Sequence, residues 1–186
     1  MKYYILRPSG HDSRYCYPHV DENSKWSSEE LYDYEYEQIH ELPIPLIVEN
    51  DYQPDDCLAS ENLVVSKNTK DIMKALNTNI TVFESQMYLN GNKIWDPYYT
   101  IVLPKYNFFN WNSSVYKTKK NFVTNEEVIF WVDKLILDKD KIKEITNDNF
   151  FAMEEYSTRC FCTEIGKKAI EEAGLIGIAF EEVPVE

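Results

Sequence analysis

Residues 63–76 read LVVSKNTKDIMKAL, and this stretch decides the fold class. Its first three residues are apolar and mostly β-branched, which predicts a short strand. Ser66 comes next, and a serine hydroxyl at this position can accept a hydrogen bond from the first turn of a helix. In the helix that follows, Ile72, Met73 and Leu76 fall on one face. We therefore predict a strand, a serine N-cap and a helix that packs its apolar face inward and ends at Leu76.

A second unit of the same kind lies at residues 160–174, which read CFCTEIGKKAIEEAG. Thr163 is at the cap position, and Gly174 is at the C′ position, where glycine ends many helices because it accepts a left-handed backbone. The two units share a lysine four residues after the cap, Lys70 and Lys167, although this likeness is too short to establish a duplication. Two such units in a chain of strands predict an α+β fold, with a mostly antiparallel or mixed sheet and a few helices packed against it.

The remaining strands follow from apolar runs and turn residues. Residues 80–95 carry Asn90-Gly91 between two extended runs, and this pair accepts the positive φ angles of a tight type I′ hairpin turn. Residues 127–137 are so apolar that we expect them to form a central strand. Further strands are expected at residues 98–103, 150–153 and 175–183.

Two further predictions concern residues 42–60, which precede the first unit. Residues 42–48 contain Pro43 and Pro45, and proline cannot donate to the ladder of a central strand. We predict an edge strand or an extended connector there. Residues 51–60 are predicted to form a polar loop.

Length and composition favour one folded domain over all 186 residues, of which 44% are hydrophobic and 15% aromatic. A chain of this size buries roughly 70% of its unfolded surface. The alternative is an acidic N-terminal lobe, residues 1–61, packed on an α+β lobe, residues 62–186. No run approaches the roughly 20 apolar residues that span a bilayer, and Arg7 and Pro8 interrupt the start too early for a signal peptide. We expect a cytoplasmic protein with its four cysteines as free thiols.

The net charge of −13 is concentrated in one part of the chain. Residues 21–61 contain 13 acids and a single base, Lys25, whereas residues 62–144 contain 9 acids and 12 bases. Nucleic acids and anionic membranes are not expected as ligands, because binding to phosphate requires positive charge. The expected partner is cationic.

Within the acidic stretch, residues 32–37 read YDYEYE. As a strand, this alternation places the three tyrosines on one face and the three acids on the other. A helix that begins at Ser27 or Ser28 fits equally well, with Glu29 and Glu30 in its first turn. The sequence leaves both structures open.

Motifs for common chemistry are missing from the sequence. Five glycines form neither a dinucleotide-binding loop nor a P-loop, and the sequence contains no GxSxG, HExxH or CxxC. His11, Cys16 and His19 match no common zinc spacing. The aromatic residues between Tyr98 and Tyr116 could stack on bases, but the acidic field favours core packing for them. We expect no catalytic residue, no metal and no cofactor.

The last third of the chain carries FWVDKLILD at 130–138, FFAM at 150–153, FCTE at 161–164 and AIEEAGLIGIAF at 169–180. This order resembles a bacterial immunity-protein family that was first defined on a myxobacterial protein, belongs to polymorphic toxin systems and was formerly a domain of unknown function. The unit at 63–76 and YYIL near the N-terminus are similar to the family as well. These are motifs of the fold, and they carry no site residues over to this chain.

The resemblance implies a protein that binds a cognate toxin and neutralises it without catalysis. Many such toxins are basic nucleases, which an acidic inhibitor can reach by electrostatic steering. Tyrosines would anchor the interface and acids would supply charge. We predict these partner-binding residues: Tyr34, Glu35, Tyr36, Glu37, Glu41, Asp55 and Asp56.

Two other classes of function remain open. A structural or adaptor module, such as a homodimer that uses an exposed strand edge, predicts a large apolar patch in place of an acidic one. A small enzyme with an unrecognised carboxylate pair predicts a deep pocket with perturbed acids. The sequence does not determine the oligomeric state.

Overall fold

The computed structural model describes residues 1–9, 18–21, 42–51, 54–58, 63–121, 125–145, 147–156 and 159–186. In this part of the chain, 13 strands and 3 helices form an α+β fold with antiparallel and mixed sheets, as predicted. The alternating stretch at 32–37 lies outside the described residues. The division into two lobes at residue 61 stays a prediction.

The first sheet has five strands and combines strands from the two ends of the sequence. In spatial order they are β13 (Ile178–Val183), β1 (Tyr3–Pro8), β12 (Cys160–Thr163), β11 (Phe150–Met153) and β8 (Lys105–Tyr106). All neighbouring strands are antiparallel except β8, which is parallel to β11.

The second sheet has six strands. In spatial order they are β2 (His19–Val20), β3 (Ile44–Ile47), β6 (Thr81–Leu89), β7 (Asn92–Val102), β5 (Leu63–Val65) and β4 (Cys57–Leu58). Its strands pair antiparallel except β3 with β6. The predicted hairpin is confirmed, with Asn90 at φ +50° and Gly91 at φ +77° between β6 and β7.

Within the described part of the chain, two further strands, β9 (Val115–Lys120) and β10 (Glu127–Lys134), pair with each other and with no other strand, and we call them the ribbon. The helices are α1 (Lys67–Leu76), α2 (Lys139–Ile142) and α3 (Glu164–Glu172). Both predicted caps are confirmed: the hydroxyl of Ser66 accepts from the backbone of Thr69, and that of Thr163 from Gly166. Gly174 follows α3 at φ +66°, as predicted.

The two strand–cap–helix units occupy equivalent places in their sheets. The order β6-β7-β5-β4 in the second sheet corresponds to β13-β1-β12-β11 in the first, and every pair in both series is antiparallel. In each series a capped helix follows the third strand. The short likeness in sequence therefore coincides with a repeated arrangement of four strands and one helix.

The lysine shared by the two units has the same role in each. The Nζ atom of Lys70 lies 4.3 Å from the centre of the Tyr99 ring, and that of Lys167 lies 4.5 Å from the centre of the Tyr4 ring. Each tyrosine lies on the strand directly beside its unit. Each lysine therefore covers an aromatic ring at the boundary between helix and sheet, a favourable cation–π arrangement.

Both sheets are buried on two faces, so their strands show little alternation of apolar and polar residues. In β1, Tyr4 enters a central cluster, whereas Tyr3 enters a second cluster on the opposite face of the same sheet. The central cluster also contains Val65 from the second sheet, Met73 from α1 and Ile170 from α3. It thus joins both sheets and both long helices in one core.

The prediction of a central strand at 127–137 is wrong. β10 belongs to the two-stranded ribbon, and its side chains of Phe130 and Trp131 are 45% and 53% exposed. Of the strand, only Ile129 is fully buried. The strand ends at Lys134, and the buried residues Ile136 and Leu137 lie in the segment that follows it. The apolar run therefore contributes to the core mainly at its end.

Two expectations for residues 42–60 also need correction. β3 is not an edge strand, because it lies between β2 and β6. Pro45 is tolerated there because the backbone N–H of Asp21, directly after β2, donates to the Pro45 carbonyl oxygen, a contact that needs no N–H from the proline. The expected polar loop at 51–60 contains the buried strand β4, which pairs with β5.

Candidate functional site

A groove of about 540 Å³ opens between β7 and the start of α1. One wall is formed by residues that precede β4 or begin the helix: Pro54, Ser66, Lys67 and Asn68. The other wall is formed by consecutive residues of β7: Trp95, Asp96, Pro97 and Tyr98. The groove therefore combines aromatic and proline surfaces with a few polar groups, as ligand-binding sites usually do.

A bulge in β7 presents this second wall. The register passes from Ser85 opposite Tyr98 to Met87 opposite Ile94, so three residues of β7 face Gln86 alone. Trp95, the first of the three, has a φ angle of +56°, which is uncommon for a residue with a side chain. Bulges of this kind bend a strand and redirect its side chains.

Gln86 fills the gap beneath the bulge. Its Nε2 atom donates to the carbonyl oxygens of Ile94, at 3.0 Å, and of Met87, at 3.1 Å. Its Oε1 atom has no hydrogen-bond partner among the described residues. The amide replaces ladder hydrogen bonds that the bulge interrupts, and it holds the backbone before Trp95 in place.

Tyr98 holds the two walls together. Its hydroxyl oxygen lies 3.1 Å from the carbonyl oxygens of both Pro54 and Asp55, to which the hydroxyl can donate. The segment before β4 is therefore tied to β7, and the shape of the groove is fixed by the fold.

Asp55 and Asp56 are the two predicted partner-binding residues that the structure describes, and they lie directly beside this groove. The Asp56 carboxylate accepts from the Ser66 hydroxyl at 2.5 Å and from the backbone N–H of Ile176 at 2.9 Å. Asp55 packs against Gly177. Asp56 thus joins the start of α1 to the loop after α3, whereas Asp55 contacts β7 and the same loop, and the partner-binding role of both stays a prediction. The other predicted residues lie outside the described part of the chain: Tyr34, Glu35, Tyr36, Glu37 and Glu41.

The charges at the groove are unequally compensated. Lys67 pairs with Asp71 at 2.7 Å, and Lys70 pairs with the same carboxylate at 2.8 Å. Hydrogen bonds from Lys67 and then Lys70 lower the pKa of Asp71 to about 2. Asp96, in contrast, is exposed and has no hydrogen bond or ion pair within the described residues. The groove therefore presents one uncompensated negative charge beside two aromatic rings.

The ribbon is a second exposed surface. Trp131 lies opposite Lys117, and Val128 lies opposite Lys119, so apolar and basic side chains share its outer face. The Nζ atom of Lys119 lies 5.9 Å from the centre of the Phe130 ring. The ribbon also exposes the large apolar side chains of Val115, Phe130 and Trp131, and exposed apolar surface can mark interaction sites.

Burial explains the raised pKa values of three cysteines and one glutamate. Burial raises the pKa values of the Cys160 and Cys162 thiols to about 12, and it also raises that of Cys57. These thiols are therefore protonated at neutral pH and are poor nucleophiles. Burial likewise raises the pKa of Glu155.

The half-buried Tyr106 and the buried Asp148 form a pair at the end of α1. The Tyr106 hydroxyl donates to Asp148 Oδ2 at 2.5 Å, and the other carboxylate oxygen accepts from the backbone N–H of Thr78 at 2.8 Å. Burial, followed by the bond to Asp148, raises the pKa of Tyr106 to about 12. The pair ties the end of α1 to the start of β11.

No group of three or more histidine, cysteine, aspartate or glutamate side chains that could hold a metal ion occurs among the described residues. In the same part of the chain, no helix is both long and apolar enough to cross a membrane.

Sequence comparisons give no match, either to a family model or to a curated protein. The family resemblance therefore stays a prediction. Sequence reasoning missed the groove, because its walls come from three separate segments. The one available signal was the Asp96-Pro97 pair, which interrupts an otherwise extended run at the point where the bulge forms.

Proposed function

We propose that this protein is an immunity protein, which binds a cognate basic toxin and neutralises it by occupying its surface, with no catalysis of its own. One observation carries the proposal: residues 21–61 hold 13 acids and a single base. This stretch includes Asp55 and Asp56, beside a groove to which Asp96 adds an exposed carboxylate without a partner among the described residues. The resemblance of the last third to an immunity family supports the same function.

The physical argument concerns association between opposite charges. A toxin that acts on nucleic acid needs a positive surface, and a concentrated negative charge attracts such a surface over distances comparable with the Debye length. Steering of this kind raises association rates and falls steeply with salt. An acidic protein seated on the positive surface excludes the nucleic acid without any chemical step.

Growth protection tests this proposal. The proteins encoded next to this gene in its source genome are produced one at a time in a bacterial host, with and without the protein. We expect one of them to stop growth, and co-production of the protein to restore colony counts close to those of a host that makes no toxin. If no neighbouring product is both toxic and neutralised, the proposal is wrong.

A charge-reversed variant locates the effect. Glu35→Lys with Glu37→Lys reverses two charges within the acidic stretch. We expect this variant to bind the toxin more weakly and its binding to depend less on salt concentration. The matched control, Glu144→Lys with Glu172→Lys, makes the same charge change at exposed positions outside that stretch. An equal loss of toxin binding in both variants would show that binding depends on the net charge of the protein and not on the acidic stretch.

The exposed ribbon favours a second candidate function, that of an adaptor which binds a protein through an apolar surface. Phe130, Trp131 and Val115 are 45%, 53% and 51% exposed. Aromatic residues of this kind dominate the energetics of protein interfaces. Partner binding that resists salt but is lost in Phe130→Ser with Trp131→Ser would favour the adaptor over the immunity protein.

A further inference from the structure

The groove between β7 and α1 has a composition that selects among ligands. It brings the rings of Trp95 and Tyr98 together with the exposed carboxylate of Asp96. We propose that this groove is a binding site for a cationic side chain, best an arginine, that the partner protein presents. The proposal deepens the function above and rests on it for the identity of the partner, but its chemistry can be tested on this protein alone.

The aromatic wall is the first part of the argument. A cation near the face of a tryptophan ring is attracted by the ring quadrupole, and tryptophan gives the strongest such interaction. A guanidinium group is planar and weakly hydrated, so it stacks on aromatic rings more readily than an ammonium group. Trp95 and Tyr98 line the groove from one strand, and both are half-buried because they also pack against the core cluster that contains Met87.

The charge balance is the second part. Lys67 also lines the groove, but Asp71 already pairs with it at 2.7 Å. Asp96 has no such partner among the described residues. A guanidinium group can donate two parallel hydrogen bonds to a carboxylate of this kind. An anion would instead meet the Asp96 charge, and it would approach from within the field of an acidic molecule.

The rigidity of the groove is the third part. The hydroxyl of Tyr98 binds the carbonyl groups of the opposite wall, and Gln86 supports the backbone before Trp95. A preformed site loses little conformational freedom when it binds a ligand. The groove volume, about 540 Å³, exceeds that of one side chain. The groove therefore has room for residues that flank the arginine in the partner.

The experiment uses a blocked peptide, acetyl-Gly-Arg-Gly-amide, titrated into the full chain and observed by NMR. The reporter is the indole N–H signal of Trp95, assigned with Trp95→Phe. We expect saturable shifts with a dissociation constant of about 1 mM, and binding about tenfold weaker for the citrulline peptide, which has nearly the same shape but no charge. Asp96→Asn should weaken arginine binding about tenfold as well. Glu84→Gln, at another exposed acid of the same sheet, should leave it unchanged.

The proposal is overturned if Trp95 does not shift, if the citrulline peptide binds equally well, or if acetyl-Gly-Glu-Gly-amide binds better. Growth protection by the wild type, compared with its binding of the arginine peptide, separates this inference from the proposed function. Full protection by the wild type without any binding of the arginine peptide refutes the groove and leaves the immunity role. Binding of the peptide without protection against any neighbouring gene product supports the groove and refutes the immunity role.

Discussion

Gly177 and Asp55 show how closely two distant parts of the chain approach each other. A Cβ atom added at Gly177 would overlap the Cβ atom of Asp55, which real structures do not allow. Gly177 also has a φ angle of +77°. The position thus requires glycine for two separate reasons, backbone conformation and lack of space.

The two reasons can be measured separately. Gly174 has a φ angle of +66°, but nothing lies within 4 Å of an added Cβ atom there. We expect Gly174→Ala to lower the free energy of unfolding by about 1–2 kcal/mol because of backbone strain. Gly177→Ala should cause the same strain and, because of overpacking, an additional loss of about 1–3 kcal/mol. Urea denaturation checks both values. Adding Asp55→Gly should restore part of the stability lost in Gly177→Ala but none of that lost in Gly174→Ala. Equal losses in the two single glycine variants would contradict the close contact between Gly177 and Asp55.

Asp148 should make the stability of the protein depend on acid pH. Burial by itself would raise its pKa, but hydrogen bonds from Tyr106, Thr78 and Asn79 outweigh that effect and lower it. A carboxyl with a lowered pKa in the folded state stabilises the fold above its unfolded pKa, near 3.9, and this contribution is lost as the pH falls through the folded pKa.

We therefore expect the free energy of unfolding to decrease as the pH is lowered below about 4, and to decrease less steeply in the Asp148→Asn variant. Tyr106→Phe should also reduce the slope, because it removes one hydrogen bond to the carboxylate. Asp140→Asn is the control, since the side chain of Asp140 is 93% exposed. Urea denaturation at a series of pH values gives the slopes, and an unchanged slope in Asp148→Asn would exclude this carboxyl as the cause.

At the scale of elements, the ribbon shows that an apolar run need not form a central strand. Its strand β10 contacts the core through Ile129, whereas Phe130 and Trp131 face outward. We expect Phe130→Ser and Trp131→Ser each to lower stability by at most about 1 kcal/mol, and Ile129→Ser to lower it by at least about 2 kcal/mol because it buries a hydroxyl and loses packing. Thermal unfolding of the three variants decides this, and a large loss at Trp131 would mean that the ribbon is part of the core.

Elements defined by local chemistry could be predicted from the sequence. The caps at Ser66 and Thr163 and the turn at Asn90-Gly91 depend on residues close in sequence, and all three are confirmed. The position of β3 inside its sheet depends on a two-residue partner strand, β2, which no periodicity reveals. The groove combines three segments, and its bulge appears only when β6 and β7 are paired.

At the scale of the whole molecule, the two repeated units hold each other's helix ends. The Asp56 carboxylate, beside the start of α1, accepts from the backbone of Ile176 after α3. In the equivalent position beside the start of α3, the Asn149 side chain donates to the carbonyl of Leu76 at the end of α1, at 2.9 Å. Each helix thus begins beside the end of the other, and neither unit is complete without its counterpart.

This reciprocity, together with the shared central cluster, predicts that both units unfold in one transition. Met73 of α1 and Ile170 of α3 occupy equivalent buried places in that cluster, with at most 1% exposure. We expect Met73→Ala and Ile170→Ala each to lower the free energy of unfolding by about 2–5 kcal/mol. Each variant should shift one common transition, observed both by circular dichroism and by hydrogen exchange in the two sheets. If Met73→Ala released the second sheet while the first stayed protected, the units would be independent domains and the shared core would not couple them.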